Sequence, residues 1–291
     1  MEFFGNIKSY ISPRWVQSSG YALGHEPIRP SFYNQLIDDF VVIAHRGASY
    51  YAPENTMSAF AKAVEMKADM IELDITLTQD GEVVVLHDEN VKRTTNGAGI
   101  ARTMTLKELQ ALDAGLWFSE KFRGERIPTL EEVLKWVKGK VSLNIEIKPE
   151  AVTDDVEGGI EEKSLQLVEK YGMEKHVIFS CFDLRAVDRV KKSEPRIAAA
   201  VLYHYGTAGK KGPIDLVNSY RADGFNIDRR YLSNRWINEL NEQNISVWVY
   251  TVNKESHMRS LIKRGVSGIF TDRPDLLRTV SSEELNEKIY E

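Results

Sequence analysis

The most constraining feature of this chain is an alternation of short apolar runs with amphipathic helical stretches, which begins at residue 41. Apolar runs of this length, separated by stretches of helical periodicity, predict β-strands that alternate with α-helices. When one hairpin strand is set aside, eight runs remain, centred near residues 43, 73, 144, 179, 200, 226, 248 and 269. Eight βα units without a glycine-rich Rossmann turn favour an α/β fold of the TIM (β/α)8 barrel type over an open doubly wound sheet.

One region interrupts the alternation after the second strand. Asp80-Gly81 predicts a tight hairpin turn, because Asp-Gly tolerates the positive φ that such turns require. Residues 88–127 then contain a short helical piece and little other regular pattern. An insertion of this size between barrel elements is usually functional or a subdomain of its own. We therefore expect a barrel domain over residues 41–291, with a small insertion at about 88–127 after the second-strand hairpin.

Residues 1–40 form a separate segment that is rich in aromatic residues, proline and serine and has no clear periodicity. We expect an irregular N-terminal arm packed on the barrel. A membrane-surface or partner-binding arm is the alternative, but no basic amphipathic face supports it. The sequence contains no signal-peptide core and no apolar run of about 18 residues that would predict a transmembrane segment.

The composition is that of an ordinary globular protein, with 42% hydrophobic and 28% charged residues. The net charge of −5 argues against a nucleic-acid partner, which usually requires a basic domain or stripe. The single cysteine, Cys181, cannot form an intrachain disulfide and is compatible with a reducing compartment. We expect a cytoplasmic protein with a small-molecule substrate, and a homo-oligomer is among the states that the sequence leaves open.

Ionisable side chains stand at the carboxyl ends of the first three predicted barrel strands and of the hairpin strand. Parallel strands buried on both faces are normally almost continuously apolar, so charged residues there are costly unless they are compensated. Residues two apart on a strand face the same side, and the active sites of such barrels lie at the carboxyl ends of the strands. The residues are His45 and Arg46 after the first strand, Glu72 and Asp74 on the second, His87 after the hairpin, and Glu146 and Lys148 on the third.

These residue types suit the hydrolysis of a phosphodiester. Three carboxylates brought together repel one another unless a cation neutralises them, and hard oxygen ligands favour Mg²⁺ or Ca²⁺. Two histidines nearby offer a general acid and a general base near neutral pH. Arg46 and Lys148 offer positive charge to an anionic substrate.

Each of these residues also has a structural interpretation when it is taken alone. A histidine at a strand end is more often structural than catalytic, and a Glu-x-Asp pair on a strand usually faces solvent. The functional interpretation is favoured because the ionisable residues coincide at the same end of three strands that should be buried.

The same residues lie in motifs that resemble those of the glycerophosphodiester phosphodiesterase family. The resemblance covers roughly residues 41–280, and the motifs occur in the order found in the family. They are His45-Arg46-Gly47-Ala48-Ser49, Pro53-Glu54-Asn55-Thr56, Glu72-Leu73-Asp74, Thr78-Gln79-Asp80-Gly81, His87-Asp88, Arg93-Thr94-Thr95, Gly124-Glu125-Arg126-Ile127-Pro128-Thr129-Leu130, Glu146-Ile147-Lys148, Thr251-Val252-Asn253 and Thr271-Asp272-Arg273-Pro274.

The resemblance implies a TIM barrel that hydrolyses glycerophosphodiesters, such as glycerophosphocholine, to an alcohol and glycerol 3-phosphate. It implies one divalent cation, Ca²⁺ or Mg²⁺, held by the three carboxylates of Glu72, Asp74 and Glu146. It also implies that His45 and His87 form the catalytic acid/base pair and that Arg46 and Lys148 contact the phosphate.

Other residues are candidates for substrate contact or for support of the site. Tyr250 stands where many family members have tryptophan, and Trp248 lies two residues earlier, so both are predicted to form an aromatic wall. Phe182 either lines the substrate mouth or packs in the core. Glu54 and Asn55 either hold the first loop or touch substrate, and Asn55 is also predicted to cap the first helix.

Two alternative functions remain open at this point. A lysophospholipase D that acts on lysophospholipid diesters would use the same residues and would need an apolar groove for the acyl chain. A catalytically dead barrel that only binds a ligand would normally have lost an acid/base residue or a metal ligand, and this chain retains all of them.

Overall fold

A closed barrel of eight parallel strands forms the centre of the computed structural model, which describes residues 40–290. Strand β1 pairs with β2 on one side and with β9 on the other, which closes the sheet. A ninth strand, β3, pairs antiparallel with β2 and forms the predicted hairpin. The strands are β1 (Val41–His45), β2 (Met70–Leu77), β3 (Val83–Val85), β4 (Ser142–Ile147), β5 (Val177–Cys181), β6 (Ala198–Tyr203), β7 (Gly224–Asp228), β8 (Ser246–Tyr250) and β9 (Gly268–Thr271).

Helices alternate with the barrel strands along the chain, as the alternation in the sequence predicts, and one further short helix, Leu106–Gln110, lies in the insertion after β3. They are α1 (Met57–Glu65), α2 (Leu106–Gln110), α3 (Leu130–Val137), α4 (Ile160–Tyr171), α5 (Leu184–Ser193), α6 (Tyr205–Ala208), α7 (Pro213–Tyr220), α8 (Asn234–Glu242), α9 (Glu255–Lys263) and α10 (Pro274–Tyr290). The predicted TIM (β/α)8 fold is therefore confirmed.

The start of helix α1 differs from the prediction. Thr56, and not Asn55, is the N-cap residue, and its side chain accepts a hydrogen bond from the backbone N–H of Ala59. Asn55 has a positive φ of 58°, outside the extended conformation that an N-cap residue adopts. Its side chain is turned toward the barrel mouth instead, where it contacts Asp74.

The two faces of each barrel strand have different partners, because successive side chains alternate in direction. Val42 and Ala44 of β1 pack outward among the helices. Val41 and Ile43 point inward and belong to a small interior cluster with Met70, Ile178, Ala198, Ala200, Trp248 and Phe270. This plug, together with the buried polar side chains of Asn144 and Asn226, fills the barrel below its carboxyl end, so the ionisable residues of the strand ends stand above a closed floor.

The insertion lies between β3 and α3, as predicted, and has a core of its own. It contains helix α2 and three short 3-10 turns, Val91–Arg93, Ala101–Thr103 and Glu120–Phe122. Its buried side chains Val91, Ala101, Leu109, Ala114 and Ile127 form one cluster with Val84 and Leu86 of the hairpin segment. The insertion is thereby joined to the barrel through β3, which ends at Val85, two residues before His87.

Two expectations concern parts of the chain other than the barrel. The N-terminal arm is predicted over residues 1–40, and all of it except residue 40 lies outside the described residues. Within residues 40–290, no helix has the length and apolar character needed to cross a membrane.

Candidate active site

The strand register brings the predicted site residues together at the carboxyl end of the barrel. His45 of β1 lies beside Glu72 of β2 in the ladder. Asp74, two residues further along β2, lies beside Glu146 of β4. The side chains of all four residues therefore converge above the apolar floor, as the spacing of two residues along each strand predicts.

The carboxylates of Glu72, Asp74 and Glu146 form a compact cluster. Each offers an oxygen, and these oxygens all lie within 4.8 Å of one another. Burial, reinforced by the charge of Asp74, raises the pKa of Glu72 to about 8. Burial and the charge of Asp74 also raise the pKa of Glu146. The cluster therefore holds more negative charge than its own surroundings neutralise, which is the electrostatic condition that a bound cation relieves.

Two cations of the chain lie against this cluster, mostly at Asp74. Lys148 Nζ is 3.4 Å from Asp74 Oδ1 and 2.9 Å from Glu146 Oε1. Arg46 Nε is 3.4 Å from Asp74 Oδ2, and the Arg46 backbone N–H donates to Glu72 Oε2 at 2.8 Å. Burial alone would raise the pKa of Asp74, but Lys148 and Arg46 outweigh it and hold that pKa well below its usual range. Asp74 is therefore ionised, and the Lys148 ammonium is paired with the carboxylates of Asp74 and Glu146.

Asn55 fixes the orientation of the Asp74 carboxylate. Its Nδ2 donates to Asp74 Oδ2 at 2.8 Å, and its Oδ1 accepts from the Asp74 backbone N–H at 3.4 Å. Both residues are buried. The turn after β1 therefore supports a residue of β2, a contact that the capping interpretation of Asn55 missed.

His45 is held by a carboxylate from the far end of the chain. Its Nδ1 lies 2.7 Å from Asp272 Oδ1, which follows β9. Asn253 donates to the other Asp272 oxygen and accepts from the Asp272 backbone N–H. Burial lowers the pKa of His45, but the hydrogen bond to Asp272 and the charge of Glu72 outweigh it, so the pKa is raised overall. Because an ionised carboxylate can only accept, Nδ1 donates to Asp272 and Nε2 is the ring nitrogen left for chemistry.

His87 has an equivalent carboxylate next to it in sequence. Its Nδ1 lies 2.5 Å from Asp88 Oδ1. Hydrogen bonds from Arg93 are the main reason why the pKa of Asp88 falls to about 2, so Asp88 is ionised and accepts from the ring. Both candidate histidines therefore have a carboxylate on Nδ1, which orients the ring and fixes its tautomer.

A cavity of about 190 Å³ joins these groups at the mouth of the barrel. Its charged side consists of His45, Arg46, Glu72, His87 and Glu146, and the rest of its lining is Ser180, Phe182, Leu202, Tyr250, Thr251 and Phe270. A larger cavity of about 460 Å³ lies on the outside of the barrel between α4 and α5, and five of its ten lining residues are glutamates. We assign the site to the smaller cavity because it contains both histidines and lies where barrel active sites lie.

The predicted aromatic wall is present only in part. Phe182 and Tyr250 both line the cavity, with ring centroids 6.1 Å apart and perpendicular planes. The Tyr250 hydroxyl donates to the Tyr203 backbone oxygen at 2.8 Å, which pins the ring across the mouth. Trp248 is fully buried in the interior plug and does not line the cavity, so its placement does not match the predicted contact with substrate. It shares the inward face of β8 with Tyr250 but lies one layer deeper.

Glu54 lies behind the site and does not line the cavity. Its carboxylate accepts from Arg46 Nη1 at 2.7 Å and from Arg93. These contacts match the alternative in which Glu54 holds the first loop. Glu54 supports Arg46, which lines the cavity.

Comparison with known proteins places the chain in one family. The model of the glycerophosphoryl diester phosphodiesterase family matches residues 45–276, a span that runs from the first candidate histidine into the last helix. The chain belongs to this family. The family resemblance of its motifs, and with it the expectation of an enzyme of this kind, is confirmed.

Relatives of this glycerophosphodiester phosphodiesterase chain match it over most of their length. It is 43% identical to the YhdW protein of Bacillus subtilis, over 81% of this chain and 96% of that protein. It is 41% identical to a glycerophosphodiester phosphodiesterase of Caldanaerobacter subterraneus, with the same two coverages of 81% and 96%. A solved structure of an Oleispira antarctica phosphodiesterase, in complex with the product sn-glycerol-3-phosphate, has 28% identity and a TM-score of 0.73. That comparison covers 82% of this chain and 96% of the other.

Several residues that build the site of this family member were not singled out from the sequence. Asp272 and Asn253 belong to motifs that resemble the family's, yet no local pattern ties either of them to His45. The signal that was available is their position after β9 and β8, at the same end of the barrel as the histidines. Asp88 was visible as the neighbour of His87, although its hydrogen bond to the ring depends on the loop conformation.

Proposed function

We propose that this chain hydrolyses glycerophosphodiesters to an alcohol and glycerol 3-phosphate, with one divalent cation, Ca²⁺ or Mg²⁺, and a pair of histidines. The observation that carries the proposal is that one cavity is lined by both histidines and by two of the three clustered carboxylates, Glu72 and Glu146. The phosphodiesterase from Oleispira antarctica, whose product is sn-glycerol-3-phosphate, supports the same product here.

The donor set of the carboxylate cluster fits a hard divalent cation. Glu72, Asp74 and Glu146 supply only oxygen ligands, and burial together with the charge of Asp74 raises the pKa of Glu72 and Glu146. Among residues 40–290, these three carboxylates are the one group of three or more histidine, cysteine or acidic side chains whose ligand atoms lie close enough together to hold a metal ion. When bound, the cation supplies positive charge that stabilises the anionic transition state at phosphorus.

The histidines supply proton transfer on the two sides of the phosphate. Each Nδ1 is held by a carboxylate, which leaves each Nε2 to accept or donate a proton. One histidine removes a proton from the attacking oxygen, and the other protonates the alkoxide of the leaving alcohol. A carboxylate behind each ring stabilises the imidazolium form that each passes through.

Arg46 is the phosphate-binding cation of this proposal. It lines the cavity, it is held between Glu54 and Asp74, and guanidinium groups bind phosphate oxygens through two parallel hydrogen bonds. Lys148 does not line the cavity and lies against Asp74 and Glu146. We therefore propose that Lys148 balances the charge of the cluster and does not make a first contact with substrate.

The shape of the cavity favours small diesters over lysophospholipids. Its volume of about 190 Å³ is below the range of about 300–1,000 Å³ that is typical of sites for larger ligands. Phe182, Leu202 and Phe270 give it an apolar side, but that side ends on the closed floor of the barrel. A catalytically dead barrel is disfavoured, because both oriented histidines face the same cavity.

The test is release of glycerol 3-phosphate from glycerophosphocholine and glycerophosphoethanolamine, in Ca²⁺, in Mg²⁺ and in EDTA. Wild type should turn over in at least one metal and lose activity in EDTA. His45→Ala should reduce kcat by roughly 10²-fold or more, because it removes one acid/base group. His257→Ala, on the outer helix α9, is the matched control and should behave like wild type.

Two results would contradict this proposal in different ways. Full activity of His45→Ala would remove His45 from the acid/base pair while leaving the reaction in place. If metal-loaded wild type leaves both diesters intact but releases choline from a lysophosphatidylcholine, the alternative of a lysophospholipase D replaces the proposed substrate class.

A further inference from the structure

Arg93 lies at the start of the insertion, on a backbone that is fixed from both sides. It ends the 3-10 turn Val91–Arg93, and the fully buried Val91 anchors that turn in the core of the insertion. The Val91 backbone N–H donates to Gly99, and the Thr95 hydroxyl donates to the Val91 oxygen. The origin of the long Arg93 side chain is therefore rigid, although the side chain itself is 45% exposed.

The Arg93 guanidinium binds two carboxylates at the same time. Toward Glu54, Nη1 donates to Oε2 at 2.7 Å and Nη2 donates to Oε1 at 2.8 Å. Toward Asp88, Nε donates to Oδ2 at 2.5 Å and Nη2 donates to Oδ1 at 3.0 Å. Both contacts are two-pronged, which is the geometry that the planar arginine fork allows and a lysine ammonium does not.

Each of these carboxylates also holds a residue that lines the cavity. Asp88 Oδ1 accepts from His87 Nδ1, and Glu54 Oε1 accepts from Arg46 Nη1 at 2.7 Å. A continuous chain of hydrogen bonds therefore runs from His87 through Asp88, Arg93 and Glu54 to Arg46. One arginine outside the cavity connects the candidate acid/base residue with the candidate phosphate ligand.

The charges along this chain alternate, which keeps each member in its hydrogen-bonding form. Burial would raise the pKa of Glu54, but hydrogen bonds from Arg93 and the charge of Arg46 lower it overall. Arg93 is also the largest cause of the low pKa of Asp88. Without Arg93, two carboxylates at the edge of the site would each lose their bidentate partner.

We propose that Arg93 is a positioning residue of this site, which orients His87 through Asp88 and Arg46 through Glu54. Through Arg93, the insertion thereby contributes to the geometry of the site. This inference rests on the proposed function, because it takes His87 and Arg46 to act on the substrate.

The test compares Arg93→Met and Arg93→Lys with wild type in the full chain. Both should lower kcat by about tenfold or more and raise KM, because loss of an orienting partner misplaces the group that it holds. The lysine variant keeps the charge and the aliphatic stem, so it should fold, and it should restore little activity because it lacks the fork. Arg102→Met is the matched control, since Arg102 pairs with Glu89 in the same insertion at similar exposure.

Double variants separate positioning from a general loss of stability. If Arg93 acts through Glu54 and Asp88, Arg93→Met should add little to the rise in KM of Glu54→Gln and little to the fall in kcat of Asp88→Asn. Additive losses would overturn the proposal, as would wild-type kcat and KM in Arg93→Lys.

The outcome for Arg93 is distinguishable from the outcome for the reaction itself. If wild type has no activity on any diester or lysolipid, the proposed function fails before Arg93 is tested. In that case, calorimetric binding of glycerol 3-phosphate still reports on the Glu54–Arg46 arm. Equal affinity in wild type and Arg93→Lys would then overturn the positioning role.

Discussion

At the scale of single residues, the site is organised by carboxylates that hold other side chains. Asp272 orients His45, Asp88 orients His87, and Glu54 orients Arg46. A charged partner of this kind fixes a ring or a guanidinium more firmly than a neutral one, because charge-assisted hydrogen bonds are shorter and stronger. The residues that face the cavity therefore depend on others that do not face it.

Asp272→Asn tests this dependence at His45. The substitution keeps the size of the side chain but removes the charge that selects the Nδ1–H tautomer, so kcat should fall by roughly 10²-fold with little change in KM. Steady-state kinetics on glycerophosphocholine measures both constants. Asp275→Asn is the control, because Asp275 lies in the same segment but pairs with Tyr51. A folded Asp272→Asn variant with wild-type kcat would show that His45 needs no carboxylate.

At the scale of elements, the turn between β1 and α1 positions two residues of the site. It places Arg46 and Asn55 in left-handed conformations and brings both toward Asp74. Gly47 makes this possible. Its φ is +82°, and a Cβ there would lie 2.7 Å from the Ala59 carbonyl carbon in α1. The close approach of the turn to the helix leaves no room for a side chain.

Gly47→Ala should therefore destabilise the protein more than an ordinary glycine substitution. We expect a loss of about 2–5 kcal/mol in the free energy of unfolding, from left-handed backbone strain and from overlap with the helix backbone. Gly139→Ala is the matched control, since Gly139 has a φ of +76° with no atom within 4 Å of the added Cβ. It carries the strain alone, about 1–2 kcal/mol. Chemical denaturation measures both, and equal losses would show that the contact with Ala59 relaxes freely.

At the scale of the whole molecule, the barrel gathers like charges at its mouth. Strands β2 and β4 are neighbours in the barrel, and their carboxyl ends bring three carboxylates into one cluster. Burial removes the water that would otherwise screen those charges. A cation bound there should therefore stabilise the folded protein as well as the transition state.

Divalent metal should raise the melting temperature of wild type by several degrees, because saturation at about 100 times Kd adds about 2.7 kcal/mol. Glu72→Gln should lose this shift, since it removes a ligand. In EDTA the same variant should be about as stable as wild type, because burial and the charge of Asp74 raise the pKa of Glu72 to about 8 and already favour its neutral form. Glu284→Gln is the control: it breaks the pairs with Arg259 and Lys263 and lowers the melting temperature, but it should keep the shift. A metal-induced shift that survives in Glu72→Gln would place the cation elsewhere.

The fold and the types of residue at the site are predictable from the sequence, because both depend on patterns among residues that are close together along the chain. Apolar runs and helical periodicity report burial residue by residue, which is why eight strands and the hairpin were found. The period of two residues along a strand also places Glu72 with Asp74, and Glu146 on the same side. Charged residues in strands that ought to be apolar marked the end of the barrel where the cavity lies.

The sequence by itself determined the barrel, the end that carries the chemistry and the residue types gathered there. The tertiary structure decided which partner each of those residues has, because Asp272 meets His45 across 227 positions and Arg93 reaches Glu54 across 39. It also decided depth: Trp248 and Tyr250 share a face by periodicity, but only the closed barrel determines that one fills the interior and the other lines the mouth. Periodicity is a property of neighbours along the chain, whereas hydrogen-bond partners and depth depend on how distant segments pack together.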